Sequence, residues 1–328
     1  MNTNVGLKDS KGDMLNADQN AEQPEPEDAA ACKIEELPDN CGYKLALQIP
    51  KAFYGGFMKG HTKRHIEAAT ETEIYVPRRS EKSSSLIIKG KERGNLCTAL
   101  HKIRLLVDTL RKKMRPTHFL AVPLNTGAMQ KQFLALKKCI LEAQLPGIDT
   151  DLFISERCLH LTLGVYVLLD GRERENAMKE LQMCRQYFTE SYKSFHLNIR
   201  GLEIMNDNPS STRVVYARVE APELQEFADK CLKHFKQTGL CASAESKRDN
   251  VKLHMTILNN RYRKKLNKQS SNSFDAREII KRFGDYDLGV AQCDEVHLCE
   301  LGSSGKVNYF YKITGTLKFE DTINTNNN

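Results

Sequence analysis

Two short segments of the chain, 94 positions apart, repeat one pattern of alternating apolar and polar side chains. They read Cys158-Leu-His-Leu-Thr-Leu-Gly-Val165 and Val251-Lys-Leu-His-Met-Thr-Ile-Leu258. Successive side chains of a β-strand point to opposite faces, so the pattern predicts two strands that each bury one aliphatic face. The predicted buried residues are Leu159, Leu161, Leu163 and Val165 in the first strand, and Val251, Leu253, Met255 and Ile257 in the second.

The opposite face of each predicted strand presents a His-x-Thr pair. His160 and Thr162 share this face in the first strand, and His254 and Thr256 share it in the second, with Lys252 beside them. Histidine titrates near neutrality, so one neutral and one protonated imidazole can coexist at working pH.

Each member of this set has a place in the cleavage of a phosphodiester. A base takes the proton of the attacking water or hydroxyl, and an acid protonates the leaving oxygen. A threonine hydroxyl beside each imidazole can donate a hydrogen bond to a non-bridging phosphoryl oxygen. The residues therefore predict catalytic roles for His160, Thr162, His254 and Thr256, a phosphate-binding role for Lys252, and no metal ion or cofactor.

A structural role is the alternative for these histidines. With nine histidines in the chain, roughly half a His-x-Thr is expected by chance from ordinary threonine usage. A single histidine on a strand is usually structural. Two His-x-Thr pairs, each flanked by aliphatic residues at the same positions, favour a catalytic site over a structural role.

Length and cysteine usage limit the class of protein. A chain of 328 residues predicts about two domains. Its longest apolar runs are strand-sized, well short of the roughly 20 residues that cross a bilayer, and its first residues lack the pattern of a secretory signal. None of the ten cysteines forms a C-x-x-C pair, so no finger or ribbon metal site is expected. The sequence predicts reduced thiols and no membrane association.

Charge is distributed unevenly along the chain. Residues 1–41 hold ten acidic residues and three lysines, a net charge of −7. The whole chain has a net charge of +7, so the remaining residues have a net charge of +14. A body this basic suits a phosphate-bearing partner such as RNA or a nucleotide. The acidic residues 1–41 have few aromatics and no periodicity, which predicts a disordered tail, and residues 321–328 are predicted to be disordered as well.

The order of predicted elements indicates an α+β protein with two domains, at residues 42–114 and 116–320. Pro116 ends a long amphipathic helix and marks the border. The first domain is predicted to contain a strand, a glycine-rich turn at Gly55, Gly56 and Gly60, a short basic helix, two strands and the long helix. The second domain alternates strands with helices and closes with two strands.

The two histidine strands resemble the H-x-[ST] motifs of the 2H phosphoesterase superfamily, in particular its A-kinase-anchor-protein-type branch, over about residues 118–320. The segments Met205-Asn-Asp-Asn-Pro209 and Val215-Tyr-Ala-Arg-Val219 fit that branch too. The resemblance implies a bilobal fold with a pseudo-two-fold repeat and the motifs on opposed central strands. It also implies hydrolysis of 2′,3′-cyclic or 2′,5′-linked phosphodiesters, with acid and base roles that it does not divide between His160 and His254.

Residues 42–114 resemble a small type I KH domain, an RNA-binding module, with Ile49-Pro-Lys-Ala-Phe-Tyr54 and Thr62-Lys-Arg-His-Ile66 as its flanks. KH domains clamp nucleotides with a GXXG loop. Here Gly60 matches the second glycine, and Phe57 occupies the place of the first. The alternative is that the module packs against the second domain or a protein partner. The weak RNA contacts that the resemblance implies are Lys59, Gly60, Lys63 and Arg64.

The order of these two domains is similar to that of a family of nuclear coactivator-complex subunits, from about residue 40 to 320, including Ser273-Phe-Asp-Ala-Arg-Glu-Ile-Ile280. The resemblance implies the nucleus, with the cytoplasm as a second location, and other complex subunits as partners. It further implies work in transcription coactivation and in repair of alkylated nucleic acid. The missing GXXG glycine indicates a divergent member. The sequence leaves open whether the site cleaves nucleic acid or only holds it in a catalytically silent scaffold subunit.

Overall fold

The structure is a computed structural model that describes residues 33–78, 81, 85–188, 194–263, 272–303 and 310–319. It divides into two compact units, Met1–Val107 and Asp108–Asn328. The border that the sequence predicts, at Pro116, lies slightly further along the chain. Within the described ranges, every helix is too short or too polar to cross a bilayer.

The first unit contains a four-stranded antiparallel sheet in the order β1-β2-β4-β3. Its elements in chain order are β1 (Ile34–Glu36), β2 (Tyr43–Gln48), α1 (Tyr54–Met58), α2 (Thr62–Thr70), β3 (Thr72–Tyr75), β4 (Ser85–Gly90) and the start of α3 (Arg93–Lys112). Apolar residues of the sheet and of α3 form a buried core, as the amphipathic pattern predicts. Leu45, Ile88, Leu96 and Ile103 are among them.

Strand β1 lies inside the stretch 1–41 that the sequence predicts to be disordered, and for this strand the prediction is wrong. Ile34 pairs with Leu45 of β2, and Lys44 of β2 lies 3.6 Å from the Glu35 carboxylate. Strand β2 thus supplies backbone hydrogen-bond partners for β1 and a lysine beside Glu35. The composition of residues 1–41 does not reveal these contacts. Residues 1–32 and 320–328, which include the remaining predicted tails, lie outside the described part of the chain.

The predicted turn at Gly55 and Gly56 is instead part of helix α1. Glycine disfavours helix, but Tyr54 and Phe57 of this helix are buried, and burial of two aromatic side chains outweighs that cost. The turn comes later, at Gly60, whose φ of +57° is in the left-handed region that glycine tolerates.

The second unit is built on an eight-stranded antiparallel sheet in the order β10-β7-β8-β9-β6-β5-β11-β12. Its strands are β5 (His118–Pro123), β6 (His160–Tyr166), β7 (Phe195–Ile204), β8 (Val214–Glu220), β9 (His254–Asn259), β10 (Asp287–Cys293), β11 (Glu295–Glu300) and β12 (Ile313–Lys318). Its helices are α4 (Gly127–Glu142), α5 (Gly171–Met183), α6 (Pro222–Gln237), α7 (Ser243–Ser246) and α8 (Arg277–Phe283). The α+β fold predicted from the sequence is confirmed, whereas the edge strand β10 is not among the predicted elements.

Helices cover one face of this sheet and leave the other face available for a site. Phe133 of α4, Leu181 of α5, Phe227 of α6 and Ile279 of α8 share one buried core with the sheet. On the opposite face, the described residues form a small apolar cluster at one wing, made up of Phe119, Ala121, Cys299 and Phe310. Strands β6 and β9 are the two central strands, so their outward side chains lie in the middle of the uncovered face.

The last turn of α3 belongs to the second unit and is fixed there by Arg111. The buried guanidinium donates a hydrogen bond of 2.6 Å to the Val167 carbonyl oxygen and forms an ion pair with Glu173 of α5. Because burial strips both charges of water, each depends on the other for its stabilisation.

Candidate active site

The two His-x-Thr motifs lie side by side on neighbouring central strands. Strands β6 and β9 are antiparallel, and Leu161 pairs with Met255. In that register His160 faces Thr256, and Thr162 faces His254. His160 and His254 are then diagonal neighbours, and residues so placed in an antiparallel sheet have Cα atoms about 7–8 Å apart. The structure therefore brings together the four residues that the sequence predicts as catalytic.

A pseudo-two-fold axis passes through the Leu161–Met255 pair. The segment β5–α4–β6 repeats as β8–α6–β9, and the strand order of the sheet is symmetric about the axis. Both central strands also carry a β-bulge at the same distance beyond the histidine, at Leu163 in β6 and at Ile257 in β9. The predicted pseudo-two-fold repeat is confirmed, and residues 94 positions apart in β6 and β9 are equivalent.

The bulge corrects one residue of the predicted strand faces. An extra residue in one strand reverses the alternation beyond it. Val165 therefore packs with the cluster around Phe119 on the uncovered face, whereas the sequence predicts it in the main core. Leu161 and Leu163 precede this reversal and are buried in the main core, as predicted.

Both imidazoles are held in the same way by the carbonyl oxygen two residues before them. His160 Nδ1 lies 2.7 Å from the Cys158 oxygen, and His254 Nδ1 lies 2.7 Å from the Lys252 oxygen. Because a carbonyl oxygen only accepts hydrogen bonds, Nδ1 carries a hydrogen in each ring. Nε2 is then the nitrogen that exchanges a proton with a bound molecule, as an acid–base group requires.

Burial lowers the pKa of both histidines, because a charged ring loses water there. The pKa of His160 falls to about 4, opposed by its hydrogen bond to Cys158 and lowered further by the charge of His254. The pKa of His254 is lowered too, chiefly by burial, with smaller contributions from the charges of Lys252 and Arg248. The influence of His254 on His160 agrees with their diagonal placement.

The surroundings of the two rings differ in chemistry. Three aromatic rings flank His160, with centroids 5.1 Å away for Phe119, 6.4 Å for Phe310 and 5.2 Å for Tyr311. These neighbours are not predicted from the sequence. Strand alternation identifies which residues share a face, but it does not show that β5 lies next to β6 or that residues 310–311 reach this face. Both depend on the topology of the whole sheet.

Polar groups surround His254. The Tyr216 ring lies 5.4 Å from it, and the Lys252 ammonium lies 4.7 Å from the centre of the same ring, in cation–π geometry. The Tyr216 hydroxyl donates to Glu203 at 2.6 Å, and Arg218 lies 3.6 Å from the other Glu203 oxygen. Lys252, which the sequence predicts as a phosphate-binding residue, thus belongs to a network that the sequence does not reveal.

A third histidine lies on the same face. His297 of β11 has Nδ1 2.9 Å from the Thr316 hydroxyl oxygen and Nε2 3.2 Å from a Glu295 carboxylate oxygen. Both ring nitrogens are therefore engaged within the protein. These contacts are those of a histidine that holds neighbouring strands together.

A comparison with protein-family models identifies this unit. The AKAP7 2′5′ RNA ligase-like domain matches residues 116–319, which include both histidine strands and most of the chain. The chain belongs to this family. The predicted resemblance to the A-kinase-anchor-protein-type branch of 2H phosphoesterases is therefore confirmed.

A curated protein is similar to this chain over most of the length of both proteins. The chain is 29% identical over 303 residues to the mouse (Mus musculus) protein "Activating signal cointegrator 1 complex subunit 1", covering 84% of this chain and 83% of that protein. The predicted resemblance to the first subunit of the activating signal cointegrator complex is confirmed by this match. The family match begins at residue 116, so the KH-like nature of the first unit stays a prediction.

Among the described residues, no group of three or more His, Cys, Asp or Glu side chains is placed to hold a metal ion. The nine cysteines within the described ranges are free thiols. Burial raises the pKa of several of them, including Cys241 and Cys293, each to about 12.

The residues predicted to contact RNA lie around the junction of α1 and α2 in the first unit. Lys59 and Gly60 follow α1, and Lys63 and Arg64 begin α2. Lys59 and Arg64 are exposed, whereas Lys63 forms an ion pair of 3.3 Å with Glu67, one helical turn away. The structure places all four on one short surface segment.

The place of the first GXXG glycine is taken by a core residue. Phe57 is only 1% exposed, so its side chain fixes the end of α1 to the interior of the unit. The connection between the two helices is left with Lys59, Gly60 and His61.

Proposed function

We propose that the second unit cleaves a phosphodiester of RNA or of an RNA-derived nucleotide. The arrangement that carries this proposal is the cross-strand square of His160, Thr256, Thr162 and His254 on the uncovered face. One imidazole accepts at Nε2 the proton of a water molecule whose oxygen attacks phosphorus. The bond from phosphorus to the leaving oxygen breaks, and the second imidazole, protonated beforehand, gives its proton to that oxygen.

The other groups support charge on the phosphate. The hydroxyls of Thr162 and Thr256 donate to the two non-bridging oxygens, which carry more charge as the bond to water forms. Lys252 adds a positive charge on the His254 side. All of these groups come from the protein chain, so the proposed step needs no bound cofactor.

Replacement of either histidine tests the reaction. We expect His160→Ala and His254→Ala each to reduce turnover of adenosine 2′,3′-cyclic phosphate at least about 100-fold, the usual loss for a general acid or base. His101→Ala is the control, because His101 is exposed on α3 and should keep the wild-type rate. Wild-type turnover by both site variants would show that these histidines do not catalyse the reaction.

A scaffold subunit is the second candidate function, and the similarity to a named complex subunit favours it. In this case the site holds nucleic acid without cleaving it, and other complex subunits are its partners. Nuclear residence, transcription coactivation and repair of alkylated nucleic acid are parts of the same proposal. Binding of RNA or assembly into a complex that survives both histidine replacements, with no turnover of any phosphodiester, would support it over the enzyme.

We also propose that the first unit contacts RNA through the segment after α1. The order of elements β2-α1-α2-β3-β4-α3 and the sheet order β2-β4-β3 support a KH-like unit, and Lys59 and Arg64 are exposed cations. Replacing both with Glu should weaken binding of the full chain to single-stranded RNA about tenfold or more at low salt. Lys102→Glu with Arg104→Glu, on α3, is the charge-matched control. Unchanged affinity of the first variant would favour a protein-binding role.

A further inference from the structure

The flanking strands break the symmetry of the histidine pair. Next to His160, strand β5 contributes Pro123 as the direct cross-strand partner. Next to His254, strand β8 contributes Arg218 at the equivalent place. Equal His-Thr pairs cannot distinguish the two sides of a phosphodiester, so any preference for one orientation must come from these neighbours.

The residues opposite the two threonines differ in the same way, with an apolar partner on the His160 side and a polar partner on the His254 side. Thr162 pairs with Ala121 of β5, and Thr256 pairs with Tyr216 of β8. Ala121 belongs to the apolar cluster with Phe119 and Phe310. The β5 positions beside His160 and Thr162 are thus apolar, and a second phosphate placed against them would lose water without gaining a charged partner from β5.

Arg218 offers such a partner on the opposite side. Its side chain is 48% exposed, and its contact with Glu203, itself 44% exposed, is 3.6 Å long. An ion pair this exposed contributes little, so a phosphate can replace the carboxylate at little cost. Arg218 can grip a phosphate with two parallel hydrogen bonds.

The backbone beneath Arg218 is shaped for this side chain. Gly201 of β7 has a φ of +80°, and a Cβ atom at that position would overlap the Arg218 guanidinium. The Arg218 Nε donates to the Arg200 carbonyl oxygen at 3.4 Å. The guanidinium therefore lies across β7 on the same side of the sheet as Tyr216, which contacts His254.

We propose that the site takes a substrate with a second phosphate, bound by Arg218 and Lys252 on the His254 side, so that an RNA oligonucleotide or a 5′-phosphorylated nucleotide is preferred over a nucleoside cyclic phosphate. This rests on the proposed function for the phosphate between the histidines. The 5′-phosphate of a nucleotide occupies the position of the next internal phosphate in an RNA chain, so the preference indicates an oligonucleotide substrate.

Two probes that differ by one phosphate test the proposal with the full chain. Adenosine 2′,3′-cyclic phosphate is compared with the same compound carrying a 5′-phosphate, both in kcat/KM and in calorimetric affinity. We expect the 5′-phosphate to improve both about tenfold or more, the contribution of a charge-assisted hydrogen bond. Arg218→Gln should abolish this preference, because it should lower kcat/KM for the compound with a 5′-phosphate at least about tenfold more than for the compound without it.

Two control variants test whether the preference depends on the position of Arg218 or only on the loss of one positive charge. Arg282→Gln removes an arginine of similar exposure that pairs with Glu278 on α8, a helix on the covered face, and should keep the preference. Arg261→Gln removes a charge within electrostatic range of Tyr311, on the His160 side, and should also keep it.

Each result decides between the two proposals. Equal values for both probes in the wild type, or a preference lost in Arg261→Gln and kept in Arg218→Gln, would overturn the second-phosphate site while the cleavage reaction stands. A preference in affinity without turnover of either probe would support the second-phosphate site and overturn the proposed reaction.

Discussion

His160 and His254 lie in different surroundings although their backbones are equivalent. Aromatic rings enclose His160, and cations lie close to His254. Histidine has an ordinary pKa of about 6.5; the pKa of His160 is about 4, and that of His254 is lowered as well. In both rings burial is the main cause, since it penalises the charged form.

These pKa values predict an acidic optimum for the reaction. The active pair has one neutral and one protonated imidazole, a state that is most populated between the two pKa values. We expect kcat/KM to fall below about pH 4, where both rings of the free protein are protonated, and to fall above the lowered pKa of His254, where both are neutral. The optimum therefore lies below about pH 6.5. A pH–rate profile with its maximum above pH 7 would contradict this.

Replacement of Lys252 tests the pKa of His254, because the direction of the change can be predicted. The charge of Lys252 lowers the pKa of His254, so Lys252→Met should raise that pKa and move the basic limb of the profile to higher pH. The acidic limb should keep its position. A change in rate without movement of the basic limb would mean that Lys252 affects only phosphate binding.

The sequence identifies the four polar residues of the site but not the residues around them. His160, Thr162, His254 and Thr256 follow from alternation within their own strands, which is a local property. Tyr216 and Arg218 also alternate within β8, but their approach to His254 depends on which strands are neighbours. That relation is set by long-range packing.

At the scale of elements, the bulges are the features that local reasoning misses. The sequence predicts uninterrupted alternation through Val165, whereas β6 changes faces at Leu163 and β9 does so at Ile257. Because of the bulges, β6 and β9 each present a histidine and a threonine on the uncovered face and bury the two consecutive residues that follow the threonine. Gly164 and Leu258 are the second of these buried residues in their strands.

Gly164 provides a test of this arrangement. A Cβ atom at residue 164 would overlap the hydroxyl of Tyr166, whose buried ring packs 4.7 Å from Phe235 and has no space to move. We expect Gly164→Ala to lower the free energy of unfolding by about 1–3 kcal/mol, as overpacking does, measured by denaturant titration.

A second glycine in the same unit serves as the control. Gly171→Ala, at the start of α5, would place a Cβ 3.9 Å from its nearest neighbour, the Arg174 side chain, and should not lower stability. Equal effects of the two substitutions would mean that space beside Tyr166 does not constrain β6.

At the scale of the whole molecule, the uneven charge should control affinity for RNA. Residues 1–32 carry seven acidic residues and two lysines. Their removal leaves a more basic chain, and we expect it to bind single-stranded RNA several-fold more tightly at 50 mM salt. Fluorescence anisotropy measures this affinity. The difference should vanish near 1 M salt, where the Debye length is about 3 Å; a difference that persists there would have a non-electrostatic origin.

Helix α3 belongs to both units, which matters for any dissection of the protein. Its first fifteen residues lie in one unit, and its last turn holds Arg111 against the Val167 carbonyl oxygen and the Glu173 carboxylate of the other. A fragment cut at Pro116, where both the sequence and the family match place the border, loses this arginine and leaves a buried carboxylate uncompensated. A recombinant fragment of the second unit should therefore begin at or before residue 108.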